Sequence, residues 1–253
     1  MEQLKKTAQT WLGAAQNALT AWTSSSADGS DEKVRDDALE GLIRSVRVER
    51  KKGPPLEVLA ETPRLRLRPC REDDVPFYQN LWTNPEVMKK YASGKPQTDP
   101  EYAYRRLVSN ENSWTDRWKQ GSPWSGMVVE LRETHEPIGA VVVGGGELAY
   151  LFDPAFHGQG YGREAVVALV NVIVPILALD PNTPDVPETI EATVRADHIP
   201  SRRILETCGF TSDLNINYRE FDGQMFERYI FTVSVQQLIQ RYEAALADAP
   251  GSS

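Results

Sequence analysis

LAYLFDPAFHGQGYGREAVVA, residues 148–168, decides how this chain is read. The apolar run 148–152 has the length of a buried strand. Asp153 and Pro154 end it, because proline fixes φ and has no N–H to give a ladder. Gly158, Gly160 and Gly162 then alternate with Gln159 and Tyr161, and a helical pattern runs on from Arg163. The order is strand, glycine loop, helix. Glycine reaches left-handed angles without steric cost and lets a ligand approach the main chain. A helix start presents unpaired N–H groups and the positive end of its dipole. Together they suit an anion, most often phosphate. The alternative is a tight structural turn with no ligand. Two known phosphate loops are excluded: there is no Gly-x-x-x-x-Gly-Lys-Ser/Thr, and the glycine spacing is not Gly-x-Gly-x-x-Gly.

Residues 157–162, HGQGYG, resemble the coenzyme A loop of the GNAT acetyltransferases, Gln/Arg-x-x-Gly-x-Gly/Ala, with His157 in first position. Residues 197–210, DHIPSRRILETCGF, resemble that superfamily's later segment, Asn-x-x-Ser followed by a helix and Gly-Phe, with His198 where asparagine is usual. The branch most similar is that of the ribosomal-protein N-terminal acetyltransferases. The resemblance spans about residues 61–235. It implies an α+β fold, a mixed, mostly antiparallel sheet flanked by helices, here with an N-terminal helical extension. It also implies acetyl-CoA as donor and a primary amine as acceptor: a protein N-terminus, a lysine or a small amine. Transfer would be by direct attack in a ternary complex.

The same resemblance assigns roles. Amides of His157, Gly158, Gln159, Gly160, Tyr161 and Gly162 hold the pyrophosphate, and Arg163 adds a charge-assisted contact. Pantetheine lies where the pre-loop strand splays from its neighbour, on the backbone of Leu151, Phe152 and Asp153. Glu147 stands where this branch often has a glutamate that draws a proton from the amine, or it is a surface glutamate at a strand end. Ser201 matches a serine near the cofactor sulfur, or caps a helix. Arg202 and Arg203 face the adenosine phosphates or solvent. His198 replaces an asparagine and either titrates as a base or makes a structural hydrogen bond. Many relatives carry an acid tyrosine four residues beyond the serine; here that residue is Leu205. This departure keeps open a second class of function, a non-catalytic acyl-CoA sensor or scaffold that binds partners through its N-terminal helices.

Composition sets the outer limits. The chain has 253 residues and a formal net charge of −8. Charges cancel over residues 1–60, so the excess falls in residues 61–253. An acidic domain argues against nucleic acid and is compatible with a cationic acceptor. Cys70 and Cys208 imply no disulfide framework, which fits a reducing, cytoplasmic setting. No metal set forms from two cysteines and three histidines at recognised spacings. No apolar run reaches the roughly 20 residues of a membrane span, and no signal-peptide core opens the chain.

Along the chain, residues 1–23 form an amphipathic pattern, 23–30 a serine-rich linker, and 31–48 a second helix. Residues 1–48 are therefore candidates for contact with a partner or a second copy. Gly53, Pro54 and Pro55 read as a boundary, giving an extension 1–60 and a catalytic domain 61–253. In residues 62–69, Leu65 and Leu67 alternate with Arg64, Arg66 and Arg68, a half-buried strand with a solvated arginine face. Residues 83–124 are irregular and aromatic, and in the family lie over the acceptor site. Strands are expected at 124–132, 137–144, 190–194, 215–220 and 225–233. A helix over 163–179 should kink or shorten at Pro175.

Overall fold

The computed structural model describes residues 32–247 apart from Lys52, Asn110 and Asp222. The amphipathic pattern at 1–23, the serine-rich stretch and residues 248–253 lie outside it. Within it, α1 (Glu32–Ser45) leads into β1 (Arg47–Lys51), β2 (Glu57–Glu61) and β3 (Leu65–Pro69). Short helices α2 (Val75–Thr83), α3 (Pro85–Met88), α4 (Tyr102–Leu107) and α5 (Trp114–Gln120) follow. Next come β4 (Gly126–Leu131), β5 (Pro137–Gly144), β6 (Glu147–Phe152) and the helix α6 (Tyr161–Ala178). The chain continues through β7 (Thr189–Arg195), α7 (Ile199–Thr207), β8 (Asn217–Phe221), β9 (Gln224–Ser234) and α8 (Val235–Ala247).

The strands form one nine-stranded sheet in the order β1-β2-β3-β4-β5-β6-β7-β9-β8. Every pairing is antiparallel except β6 with β7, which is parallel and holds a single register pair, Glu147 with Glu191. Beyond that pair the two strands part. The mixed, mostly antiparallel sheet is the one the sequence led us to expect.

The boundary placed after residue 60 falls inside β2. Strands β1 and β2 are joined through the loop of Gly53, Pro54 and Pro55 and continue the sheet outward from β3. Val58 and Ala60 are buried, as are Ala38, Leu39, Leu42 and Ile43 of α1, all in the same core as the rest. Residues 32–61 are therefore part of the core, and the apolar side of α1 is covered by α6 and α8 of its own chain rather than by a partner. In the charged run of β1 the exposed Arg47, Glu49 and Lys51 alternate with the half-buried Val48 and Arg50, of which Val48 packs on the core and Arg50 pairs with Asp180.

α6 is the central buried helix. Ala165, Val166, Val167, Ala168, Val170, Ile173 and Val174 have no exposed surface. By length and composition the helix could cross a membrane, but 72% of it is buried in protein. Pro175 does not end it. Proline supplies no N–H and crowds the carbonyl four residues back, and a π-helical segment, Leu169–Ile173, takes up the mismatch before the α-helix resumes.

The arginine row of β3 is not a solvated face. Arg68 donates from Nε to Glu130 at 2.6 Å and from both terminal nitrogens to Asp74 at 2.8 Å. It is buried together with both carboxylates. Leu65 and Leu67 point into the core as expected. The aromatics of residues 78–124 close the other end of the sheet. Tyr78, Trp82, Tyr102 and Trp114 stack in a cluster with ring centroids 5.0–5.9 Å apart. The Trp114 ring fills the space that a side chain at Gly126 would occupy.

Candidate active site

The parting of β6 and β7 opens a cleft of about 2140 Å³. One arm runs over the glycine loop and α7. The other runs under α3, α4 and α5, where Tyr91, Tyr102, Trp114 and Trp124 line it. The arms meet at β6.

Pairing decides which groups of β6 face the gap. The amide of Asp153 donates to the Ile138 carbonyl of β5 at 2.9 Å. Backbone groups of alternate strand residues point to opposite edges. Leu151, two residues back, therefore also turns its amide and carbonyl toward β5, and the backbone of Tyr150 and Phe152 faces the gap. The expected backbone contact at Leu151 to Asp153 narrows to Phe152 and gains Tyr150. Asp153 instead closes the strand, where its carboxylate accepts from the Ala155 amide at 2.9 Å and caps the turn Pro154–Phe156.

In the loop, Gly158 has φ +76° and Gly160 φ +81°, and nothing lies within 4 Å of where a Cβ at Gly158 would stand. Those left-handed angles bend the main chain around an open space at the N-terminus of α6. His157, Gly158, Gly160, Tyr161, Gly162 and Arg163 line the cleft. Gln159 does not; its carbonyl accepts from Arg64 at 2.9 Å on the other side of the loop. The His157 ring does more than lend its backbone, since Nε2 lies 2.9 Å from the Phe152 carbonyl and ties loop to strand. The open backbone cradle, the helix start and the free strand edge fit a coenzyme A pyrophosphate and pantetheine.

Arg64 and Glu164 hold the loop from behind. The Glu164 carboxylate, with no exposed surface, accepts from Thr62 Oγ1 at 2.5 Å, the Arg64 amide at 3.0 Å and Arg64 Nε at 2.7 Å. Arg64 Nη2 makes an ion-pair contact at 2.6 Å without hydrogen-bond alignment. The Arg64 guanidinium also lies 4.5 Å over the Tyr161 ring.

Glu147 sits exposed on the cleft wall, at the last point where β6 and β7 touch. Ser201, buried in the first turns of α7, has its Oγ 2.6 Å from the Tyr150 hydroxyl. Ser201 does not cap α7; His198 holds that position and makes no side-chain cap bond. Burial raises the Tyr150 phenol above its usual range. Leu205, four residues after Ser201, is core, and the hydroxyl beside Ser201 belongs to Tyr150, 51 residues earlier in the chain. No motif spacing points to Tyr150. An apolar strand entering the loop, with one polar ring among its neighbours, was the signal available.

His198 lines the cleft, half-buried, and burial followed by the nearby Lys90 charge lowers its imidazole below the usual range. Arg202 leaves the donor set: its guanidinium lies 4.9 Å over the Tyr229 ring of β9, away from the cleft, while Arg203 lines it. Among the described residues no group of three His, Cys, Asp or Glu could hold a metal ion.

No curated protein sequence matches the chain. Three solved structures show the fold. A GNAT-family acetyltransferase from Bacillus anthracis is 18% identical, with 70% of this chain and 99% of that one covered and a TM-score of 0.53. Spermidine N-acetyltransferase from Vibrio cholerae, in complex with CoA and spermine, is 19% identical over 69% and 98% at 0.52. The ribosomal L7/L12 α-N-protein acetyltransferase RimL, in complex with CoA, is 14% identical over 68% and 94% at 0.52. The family model described as an acetyltransferase (GNAT) domain matches residues 64–211, which run from the Arg64 clamp through the glycine loop to the end of α7, and the chain belongs to the GNAT family of acetyltransferases.

Proposed function

We infer that this enzyme moves an acetyl group from acetyl-CoA to a primary amine by direct attack, with both substrates in the cleft together. The observation that carries this reading is the meeting of the two arms at β6, where Glu147, the Tyr150–Ser201 pair and the free strand edge share one wall. Acetyl-CoA, when bound, supplies the acetyl group as an activated thioester. Loop amides around Gly158 and Gly160 and the start of α6 hold the pyrophosphate. The gap-facing amides of β6 hold the pantetheine arm and polarise the thioester carbonyl. Glu147 takes the proton of the incoming ammonium through a water. The Tyr150 hydroxyl, kept protonated by its raised pKa and aligned by Ser201, donates a hydrogen bond to the departing thiolate sulfur, which takes its proton from water in the cleft. His198, held neutral, is the other base on this wall. The acceptor class is a protein N-terminus, a lysine or a small amine. Both cysteines are free and buried, which fits a reducing cytoplasm.

Two variants test the reading. Gly158→Glu places bulk and negative charge in the open cradle and should reduce CoA affinity at least a hundredfold by calorimetry while the protein still melts cooperatively. Glu147→Gln should lower kcat by about a hundredfold or more, with CoA affinity unchanged and the deficit shrinking as pH rises and more amine arrives deprotonated. Unchanged CoA affinity in a folded Gly158→Glu protein would show that the cradle is not the donor site. Wild-type rates for Glu147→Gln would move the base to His198.

A further inference from the structure

On the acceptor side of the cleft, Lys90, Arg195 and Arg228 all line the wall. Arg195 of β7 and Arg228 of β9 are direct cross-strand partners. Like charges placed opposite each other on antiparallel strands destabilise the pairing. Carboxylates answer only part of this charge. Asp197 pairs with Lys90 and, at 3.5 Å, with Arg195, and Asp197, followed by Glu147, acts on Arg228 through space. Arg228 has no carboxylate within ion-pair distance among the described residues. It is 3% exposed, and its Nε is buried without a hydrogen-bond partner. Its Nη2 donates to the Ala92 carbonyl at 2.5 Å, and its guanidinium lies 4.8 Å over the Phe221 ring. Burial and the Arg195 charge both weaken its hold on the proton. A buried cation with an unused donor costs folding free energy. That cost is offset when a ligand brings the missing anion, and a guanidinium matches a carboxylate in shape as well as charge.

We propose that Arg228, with Arg195 and Lys90 beside it, binds a carboxylate of the acceptor, so that this enzyme acetylates amines that carry an acidic group. This rests on the acetyltransferase reading above and names its substrate class. The acceptor spans the wall with its amine at Glu147 and its carboxylate at Arg228, and the opposite charges of the two ends fix its direction. A polyamine would set a second ammonium against three cations.

The test uses matched acceptors that differ by one carboxylate: tyrosine against tyramine, and a tripeptide amide with Glu or Gln at its second position. The first pair reads a free amino acid, the second a peptide N-terminus, and spermidine is the cationic control. Release of the CoA thiol reports transfer. The acidic member of one pair should have a kcat/KM roughly tenfold to a hundredfold higher, the range of a charged hydrogen bond. In Arg228→Gln that preference should fall to within about twofold, with the KM for acetyl-CoA unchanged. Arg195→Gln, at a less buried site, should lower it severalfold and serves if Arg228→Gln does not fold. Equal rates in both pairs, or spermidine as the best acceptor, would overturn the proposal. If CoA binds but no amine turns over, calorimetric titration of each pair into the CoA complex reads the same preference, and equal affinities overturn it. Failure to bind CoA would instead overturn the acetyltransferase reading.

Discussion

Arg64→Ala strikes the support of the donor loop without touching the cleft. It removes the Nε and Nη2 contacts to Glu164, the bond to the Gln159 carbonyl and the stacking on Tyr161. Taking one partner from a buried ion pair costs about 3–5 kcal/mol, because the other charge stays buried and unanswered. Here two effects lower the figure. The Arg64 side chain is 26% exposed, and Glu164 keeps the Thr62 hydroxyl and a backbone amide. A loss of roughly 2–3 kcal/mol remains. For a chain of this size that is a fall in Tm of roughly 4–12 °C. CoA affinity should also drop, since the loop loses its anchor at Gln159. Arg64→Met combined with Glu164→Leu should recover most of the stability, as both charges then leave together, but not the CoA affinity. Circular dichroism melts and CoA calorimetry on Arg64→Met, Glu164→Leu and the pair complete the cycle. An Arg64→Ala protein melting within about 1 °C of wild type would refute the clamp.

Deleting residues 1–61 should give a protein without a cooperative melt, because it strips α1, β1 and β2 and the buried Leu42, Ile43, Val58 and Ala60 from the core; a sharp transition in the truncated chain would show the core is complete without them. Tyr150→Phe should slow transfer about tenfold or more with CoA affinity unchanged, whereas Ser201→Ala, which leaves the phenol in place, should cost less. Since the Tyr150 pKa is raised, wild type should show no alkaline loss of rate from this group at or below pH 10, and such a loss abolished by Tyr150→Phe would contradict the assignment. For His198 the folded pKa is lowered below 6.5, so the unfolded chain binds its proton first; its contribution to stability is present above pH 6.5 and is lost as pH falls through the folded value. The acid-side fall in Tm should accordingly be shallower in His198→Gln, and an unaltered slope would count against a buried neutral imidazole.

The glycine loop and its flanking strand and helix were legible because each is local: proline ends the strand, glycines permit the turn, and an apolar run makes the helix. Most strand positions were legible for the same reason, whereas the sheet class came from the family resemblance of the two motifs. What escaped depends on partners distant in sequence. Arg64, Arg66 and Arg68 alternate as a solvated face would, and only the fold brings Glu164 and Glu130 to them. Tyr150 meets Ser201 only when β6 and α7 pack. Arg202 and Arg203 are adjacent in sequence, and helical rotation sends one to Tyr229 and the other to the cleft. Gly53, Pro54 and Pro55 signal a turn, but whether a turn separates domains or joins two strands depends on what β1 and β2 pair with.

Because β6 and β7 share only the pairing at Glu147, the sheet behaves as two plates joined by one stitch. Glu147 rides on the first plate, and Arg195 and Arg228 ride on the second. Away from that stitch the plates diverge, and a donor lying along the open edge would bridge them and complete the wall for an acceptor that must reach both. Turnover should therefore follow a compulsory order, with acetyl-CoA first on and CoA last off. Product-inhibition patterns would show CoA competing with acetyl-CoA and not with the amine.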